Sequence, residues 1–283
     1  MIFFLFAENS KNAKYPNLLE LKIRLAENKD KDQVLSFCIN TFEWGDYIDR
    51  VWDKWRAKKS LFVADHKGMA AGICNAALSA NQLWIEGIRI NPIFRRRGYA
   101  TKLVTAAESL ARNKRLAISR MIIANNNKKS LAMAKTLGYT LEQKWRLYNL
   151  LAKKQTSKAN IATDPKIQTP LPNITYSQSW KWFTLDQRAL SKLVRTGQVI
   201  QYLTNKKPQA IGIWSNSHID NDLVQLGYLN GTNQGMIQIL RFMQNLAYEN
   251  DMQRIQILIP DSTKIQFKGL ESRMLFCLVK KKL

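Results

Sequence analysis

Cysteine, histidine and acid are scarce in this chain of 283 residues. Cys38, Cys74 and Cys277 are odd in number and widely spaced, with no CxxC pair and only His66 and His218 to assist them. That excludes a disulfide framework and argues against structural zinc or any other bound metal. Each cysteine is expected to be a small buried hydrophobe. Long apolar runs are missing too. Residues 1–6 (MIFFLF) are apolar but lack a basic segment and stop short of Glu8. That is too short for a leader or a span, so a buried or edge strand is expected there. No later stretch approaches the roughly 18 apolar residues that a membrane helix requires. A cytoplasmic protein without a membrane partner is the expectation.

Base, by contrast, is abundant: 44 Lys and Arg stand against 21 Asp and Glu, a formal charge of +23. Residues 1–155 carry 28 basic and 13 acidic side chains, and residues 156–283 carry 16 and 8, so the excess is spread along the chain. Such charge is the footprint of a nucleic-acid partner or an acidic ligand, and equally of a lysine-rich surface with no specific partner. The length allows one large domain or two modest ones. With 46% apolar and 10% aromatic residues, the composition is globular.

Periodicity divides the chain into alternating elements. A strand is expected at 21–25, a helix from about 31, and a second short helix carrying Val51, Trp52 and Trp55. Strands at 60–65 and 69–78 flank His66-Lys67-Gly68, a hairpin signal. A further strand at 83–90 ends at Asn91-Pro92, and Leu103, Val104, Ala107 and Leu110 then mark one face of an amphipathic helix. A strand at 120–124, a helix at 130–137 closed by Gly138, and a strand at 144–151 follow. Residues 153–173, rich in Lys, Gln, Thr, Ser and Asn with three prolines, read as a linker. Beyond it a helix (185–194), strands (210–215, 223–229), a turn (231–235), a helix (236–249) and strands (254–259, 275–280) are expected. The strand–strand–turn–helix–strand order of the first half recurs in the second, a weak internal repeat. The expected organisation is domain 1–152, linker 153–173 and domain 174–283.

The stretch Asn91-Pro-Ile-Phe-Arg-Arg-Arg-Gly-Tyr-Ala-Thr101 carries chemistry. A glycine-containing turn opening a helix exposes backbone N–H groups without intrahelical partners, at the positive end of the helix dipole. That is a site for a diphosphate. Gly98 lets phosphate approach where a Cβ would obstruct, Ala100 keeps the entrance small, and Arg95, Arg96 and Arg97 add charge.

In context this segment resembles the GNAT superfamily of acetyl-CoA-dependent N-acetyltransferases. Arg95-Arg-Arg-Gly-Tyr-Ala100 fits the Arg/Gln-x-x-Gly-x-Gly/Ala turn, and Ile90-Asn-Pro92 fits the preceding strand end. Asn127, followed eleven residues later by Gly138-Tyr139, fits the Asn…Leu-Gly-Phe/Tyr segment. The resemblance covers about residues 21–152. It implies an α/β (α+β) GNAT fold, a mixed central sheet flanked by helices, with acetyl-CoA as cofactor. Ile88, Arg89 and Ile90 would pair through their backbone with the pantetheine arm. The amides from Arg96 through Tyr99 and Ala100 to Thr101 would hold the pyrophosphate, and Asn127 would contact the arm near the thioester.

Direct attack by an amine needs a base, because an ammonium is not a nucleophile. Glu86, the sole acid between Asp65 and Glu108, sits on the strand that would face the acetyl group and is the candidate base. Its alternative is a strand carboxylate paired with a nearby arginine. Many family members carry a tyrosine acid seven residues after the asparagine; here that position is Ala134. Tyr139 reads as core. Glu43, Trp44, Asp46 and Tyr47 form an acidic, aromatic loop suited to a cationic amine, or equally a junction anchoring the second helix. The Trp-Gly-Asp-Tyr loop also looks, more loosely, like the histidine N-acetyltransferase branch.

The second half has the same element order, but Gly231-Thr-Asn-Gln-Gly235 replaces the arginine–glycine turn, so it reads as a degenerate GNAT-like domain or an unrelated α/β one. Two functions follow: an N-acetyltransferase for a primary amine, small-molecule or protein, or a basic nucleic-acid- or ribosome-associated protein on the same scaffold. The acceptor and the oligomeric state are not encoded in any recognisable motif.

Overall fold

The computed structural model describes residues 21–39, 41, 45–79, 81–164, 174–217 and 222–283. The expected N-terminal strand at 1–6 and the loop residues Glu43 and Trp44 lie outside these.

The first unit begins with β1 (Leu21–Leu25), α1 (Lys31–Cys38) and α2 (Ile48–Ala57). An antiparallel run follows, β2 (Leu61–His66), β3 (Met69–Ser79) and β4 (Gln82–Ile90). The β2–β3 turn is a two-residue one, Lys67 and Gly68, both at positive φ (54° and 84°). This is the primed geometry that suits strand twist, and the Gly68 amide donates to the Asp65 carboxylate at 2.7 Å. Then come α3 (Tyr99–Asn113), β5 (Ile118–Ala124), α4 (Lys128–Thr136) and β6 (Thr140–Leu151). Leu103, Val104, Ala107 and Ala111 bury one stripe of α3 against the sheet, as their spacing requires.

The second unit repeats this plan. After β7 (Asn160–Ile161), the β8–β9 hairpin (Ile174–Gln178, Lys181–Leu185) and α5 (Gln187–Arg195) come β10 (Val199–Thr204), β11 (Lys207–Asn216), β12 (Leu223–Gly231), α6 (Asn233–Glu249), β13 (Arg254–Pro260) and β14 (Glu271–Lys282). β10–β11–β12–α6–β13–β14 therefore matches β2–β3–β4–α3–β5–β6, except that α4 between β5 and β6 has no counterpart helix between β13 and β14 among the described residues. β7 pairs antiparallel with β10 as β1 does with β2. The pair β12–β13 is parallel, as is β4–β5.

All but the β8–β9 hairpin form one twelve-stranded sheet in the order β1-β2-β3-β4-β5-β14-β6-β13-β12-β11-β10-β7. The C-terminal strand β14 lies between β5 and β6, antiparallel to both, and β6 in turn pairs with β13. Each unit thus completes its sheet with the last strand of the other. The strand order crosses the expected boundary at residue 152. Residues 153–164 are more than a spacer: Ala159 and Ala162 are buried, and the Ser157 hydroxyl donates to the Gln238 carbonyl at 2.7 Å.

Candidate active site

β4 and β5 pair only through Gln82–Trp84 and Ile118–Arg120. Beyond Trp84 the two parallel strands part and their ladder ends; along the gap the Ile88 carbonyl accepts from Arg89 Nη1 at 3.1 Å and the Ile90 carbonyl from Arg95 Nε at 3.4 Å. On its other side β4 carries a bulge: Glu86 pairs with Asn75 and Arg89 with Ile73, so Gly87 and Ile88 together oppose Cys74. Gly87 sits at φ +65°, and a Cβ there would stand 2.7 Å from the Trp55 ring of α2. Conformation and packing both demand glycine, and the bulge re-aims the strand next to the widening gap.

The arginine turn lies at the end of this strand. Pro92–Phe94 form one 3₁₀ turn, and the Asn91 side chain accepts from the Ile93 amide. Arg96 (φ +67°) and Gly98 (φ +76°) are both left-handed and swing the chain into α3. Lys102 is the first helix amide to find a backbone acceptor, Gly98 at 3.1 Å. Among the described residues, the amides from Arg96 to Thr101 have none. Arg95, Arg96, Arg97 and Gly98 are exposed, and nothing stands within 4 Å of where a Gly98 Cβ would be. The helix start is open, amide-rich and positively charged. Its foundation is an aromatic stack: Phe94 lies 5.9 Å from Tyr99 and 5.0 Å from His66, and the Tyr99 hydroxyl meets His66 Nδ1 at 2.9 Å. The Tyr99 side chain therefore supports the turn from below.

Glu86 is half-buried. Its Oε1 accepts from Asn75 Nδ2 at 2.8 Å and its Oε2 from Trp84 Nε1 at 3.2 Å. These bonds fix the carboxylate on the face of β4 opposite α3. A third donor comes from the second unit: Lys181 Nζ stands 3.2 Å from Oε1. Sequence reasoning missed this neighbour, which lies 95 positions away in a hairpin without turn residues of the usual kind.

Other expected site residues are placed differently. The Asp46 carboxylate is taken up by Arg89, whose Nε and Nη2 donate to its two oxygens at 2.7 and 3.0 Å. Arg89 also lies over the Tyr47 ring, 5.4 Å from its centre. Burial pushes the Asp46 carboxyl up, but Arg89, the Thr41 hydroxyl and the Tyr47 amide outweigh that and hold it below its ordinary value. Asp46, Tyr47 and Arg89 thus lock the loop before α2 onto β4 beside the bulge. Burial raises the Tyr47 hydroxyl to about 12, which keeps it protonated. Asn127 is exposed and caps α4, its Oδ1 accepting from the Ser130 amide at 3.1 Å. Its amide nitrogen is the group left to meet a ligand. Ala134 is buried, and the Tyr139 hydroxyl bonds Ser119 in the core below α3.

At the matching place in the second unit the helix start is capped by a threonine. Thr232 alone joins β12 to α6, its hydroxyl accepting from the Gly235 amide at 3.2 Å and its own amide donating to Gln209 at 2.8 Å. The expected turn at 231–235 is therefore a strand end, a cap and the first helical turn. Cβ atoms at Gly231 and Gly235 would collide with Gln209 and Ala210 of β11, so the helix start packs close against that strand and carries no arginine turn. β12 (LVQLGYLNG) carries no carboxylate, and the Ser177 backbone lies where a Gly227 Cβ would be.

Residues 31–139 match the model of the acetyltransferase (GNAT) family. No curated protein matches the chain in sequence. Among solved structures, a candidate acetyltransferase from Thermoplasma acidophilum superposes with a TM-score of 0.66 at 12% identity, covering 93% of this chain and all (100%) of that one. A GCN5-related N-acetyltransferase from Sphaerobacter thermophilus gives 0.62 at 11%, with 94% and 96% covered. A tandem GNAT protein of the clavulanic acid pathway gives 0.55 at 12%, with 93% and 98% covered. Full-length matches of this kind extend the fold to both units. The chain folds as a tandem of two GNAT-like units, and residues 31–139 of the first match the acetyltransferase (GNAT) family.

Proposed function

We propose that the first unit transfers an acetyl group from acetyl-CoA to a primary amine by direct attack in a ternary complex, and that the second unit binds no cofactor. One observation carries this reading. An open, arginine-lined helix start lies at the end of a splayed strand that bears a single fixed carboxylate. The space at Gly98 suits a phosphate, so the amides from Arg96 to Thr101, with the arginine side chains, would hold the pyrophosphate. The gap-facing backbone of Ile88–Ile90 would pair with the pantetheine arm in place of the Arg89 and Arg95 side chains that now reach it, and Asn127 would lie along it.

Acetyl-CoA supplies an activated acyl carbon. The chain's own residues bind, orient and move protons. Glu86 takes a proton from the acceptor ammonium, directly or through water. The free amine then forms the C–N bond as the C–S bond breaks, and the net change is amide, CoA thiol and one proton. With alanine at 134 and Tyr139 in the core, no tyrosine of this unit is assigned to protonate the thiolate, and water serves.

CoA-thiol release measured with pools of amines tests this. Amine-dependent release is expected, and a folded protein that neither binds nor turns over acetyl-CoA overturns it. The rival reading draws on the charge of +23. It makes the chain a nucleic-acid- or ribosome-associated binder, whose affinity falls steeply with salt and whose thermal midpoint ignores acetyl-CoA. Acetyl-CoA binding would instead raise that midpoint by mass action.

A further inference from the structure

We propose that the acceptor is a small zwitterion, an amine with a carboxylate close by as in a free α-amino acid, and that Lys181 of the second unit selects it. This rests on the acetyl-transfer reading above.

Lys181 Nζ already occupies the place an acceptor ammonium would take, 3.2 Å from Glu86 Oε1. Both side chains keep some access to solvent, 29% for Lys181 and 16% for Glu86, so an incoming ammonium can displace the lysine. The displaced cation stays within a side-chain length of the carboxylate. A simple monoamine then leaves two cations sharing Glu86, and a diamine leaves three. A zwitterion restores balance: its ammonium meets Glu86 and its carboxylate meets Lys181, so attraction replaces repulsion at close range.

The position of Lys181 is built. The β8–β9 turn consists of Ser179 (φ +50°) and Trp180 (φ +62°), two non-glycine residues in the left-handed region. Such a turn persists only where its surroundings over-determine it. Trp180 Nε1 donates to Gln256 at 3.1 Å, and its ring meets Phe276 edge-on at 5.5 Å. On the other side of Lys181, Trp182 stacks on Trp84 at 5.6 Å, and its carbonyl accepts from Gln82 Nε2 at 2.8 Å. Lys181 is thus clamped between two anchored tryptophans and aimed at the β4 residue two places beyond Trp84.

The test compares kcat/KM for the best of the twenty protein amino acids, its carboxamide and 1,4-diaminobutane, in the wild type, Lys181→Met and Lys181→Arg. The wild type is expected to favour the amino acid at least tenfold over its carboxamide. Lys181→Met should erase that preference, mainly through KM for the acid, and Lys181→Arg should keep most of it. A wild type that uses the carboxamide or the diamine as well as the acid overturns the proposal and leaves acetyl transfer standing. So does a Lys181→Met variant with an unchanged ratio. If no amine of any class releases CoA, acetyl transfer falls and the proposal falls with it.

Discussion

Two carboxylates near the widening gap of β4 have opposite fates, and single substitutions separate them. Glu86 is held by neutral donors and one exchangeable lysine. Glu86→Gln preserves its shape and removes the base, so kcat should fall about 10²–10⁴-fold, while the thermal shift produced by acetyl-CoA stays as in the wild type. Asp46 is spent on structure. Its side chain is 5% exposed, and its bidentate bond to Arg89 ties the loop before α2 to the bulged strand. Asp46→Asn strands a buried guanidinium, and breaking such a pair costs about 3–5 kcal/mol, readable as a lower urea midpoint. The pH dependence follows in sign. The folded-state value of Asp46 lies below its unfolded one, so the pair's contribution is complete above the ordinary aspartate range, about pH 4. It is lost as pH falls through the folded-state value. Asp46→Asn should therefore flatten the acid limb of a stability–pH profile. The sequence showed both acids but not which one a buried arginine takes up, since Asp46 and its partner Arg89 lie 43 positions apart.

Two helix starts show how one element acquires or loses a ligand site. α3 begins after a left-handed Arg96 and Gly98 with its amides open, whereas α6 begins on a threonine cap packed against β11. Arg96→Ala with Gly98→Asp removes charge and places a carboxylate where phosphate would lie. The acetyl-CoA-dependent rise in thermal midpoint should vanish, while the ligand-free midpoint falls only by the modest cost of a side chain at the left-handed Gly98; an unchanged rise would show that the turn does not hold the cofactor. Thr232→Ala should do the reverse, costing about 1 kcal/mol as a lost cap and leaving the acetyl-CoA shift intact. At this scale the sequence was most readable. Turn chemistry at Gly68 and Gly98 and the stripes of α3 and α6 act over a few residues, so the repeated order was visible in the chain. The β8–β9 hairpin was not. Its strands have five residues each, its turn is Ser-Trp, and its anchors Gln82 and Gln256 lie 100 and 76 positions from their partners. Long-range packing overrides the weak local preference there.

The position of β14 binds the two units into one folding problem. With Cys277, Leu278 and Val279 buried, β14 pairs with β5 on one side and β6 on the other, while β6 reaches across to β13. Neither unit has a complete sheet of its own. Linear reading of the sequence placed a boundary near residue 152, because composition changes there and strand exchange leaves no mark on composition. If residues 1–152 are expressed alone, β5 and β6 lose the strand between them. Their inner backbone groups are left unpaired beside the apolar side chains of Ile122 and Trp145, and exposed strand edges of this kind invite association. This fragment should show no cooperative unfolding transition and no acetyl-CoA shift, although it contains the whole diphosphate turn and Glu86. Co-expression with residues 153–283 should restore both, because the missing strand returns with them. A chain ending at residue 270 should fail in the same way as the fragment, despite losing none of the groups assigned to chemistry. Cooperative melting with a cofactor shift in the isolated 1–152 fragment would show instead that the first unit closes its own sheet. The second unit would then contribute Lys181 to the site without being needed for the fold.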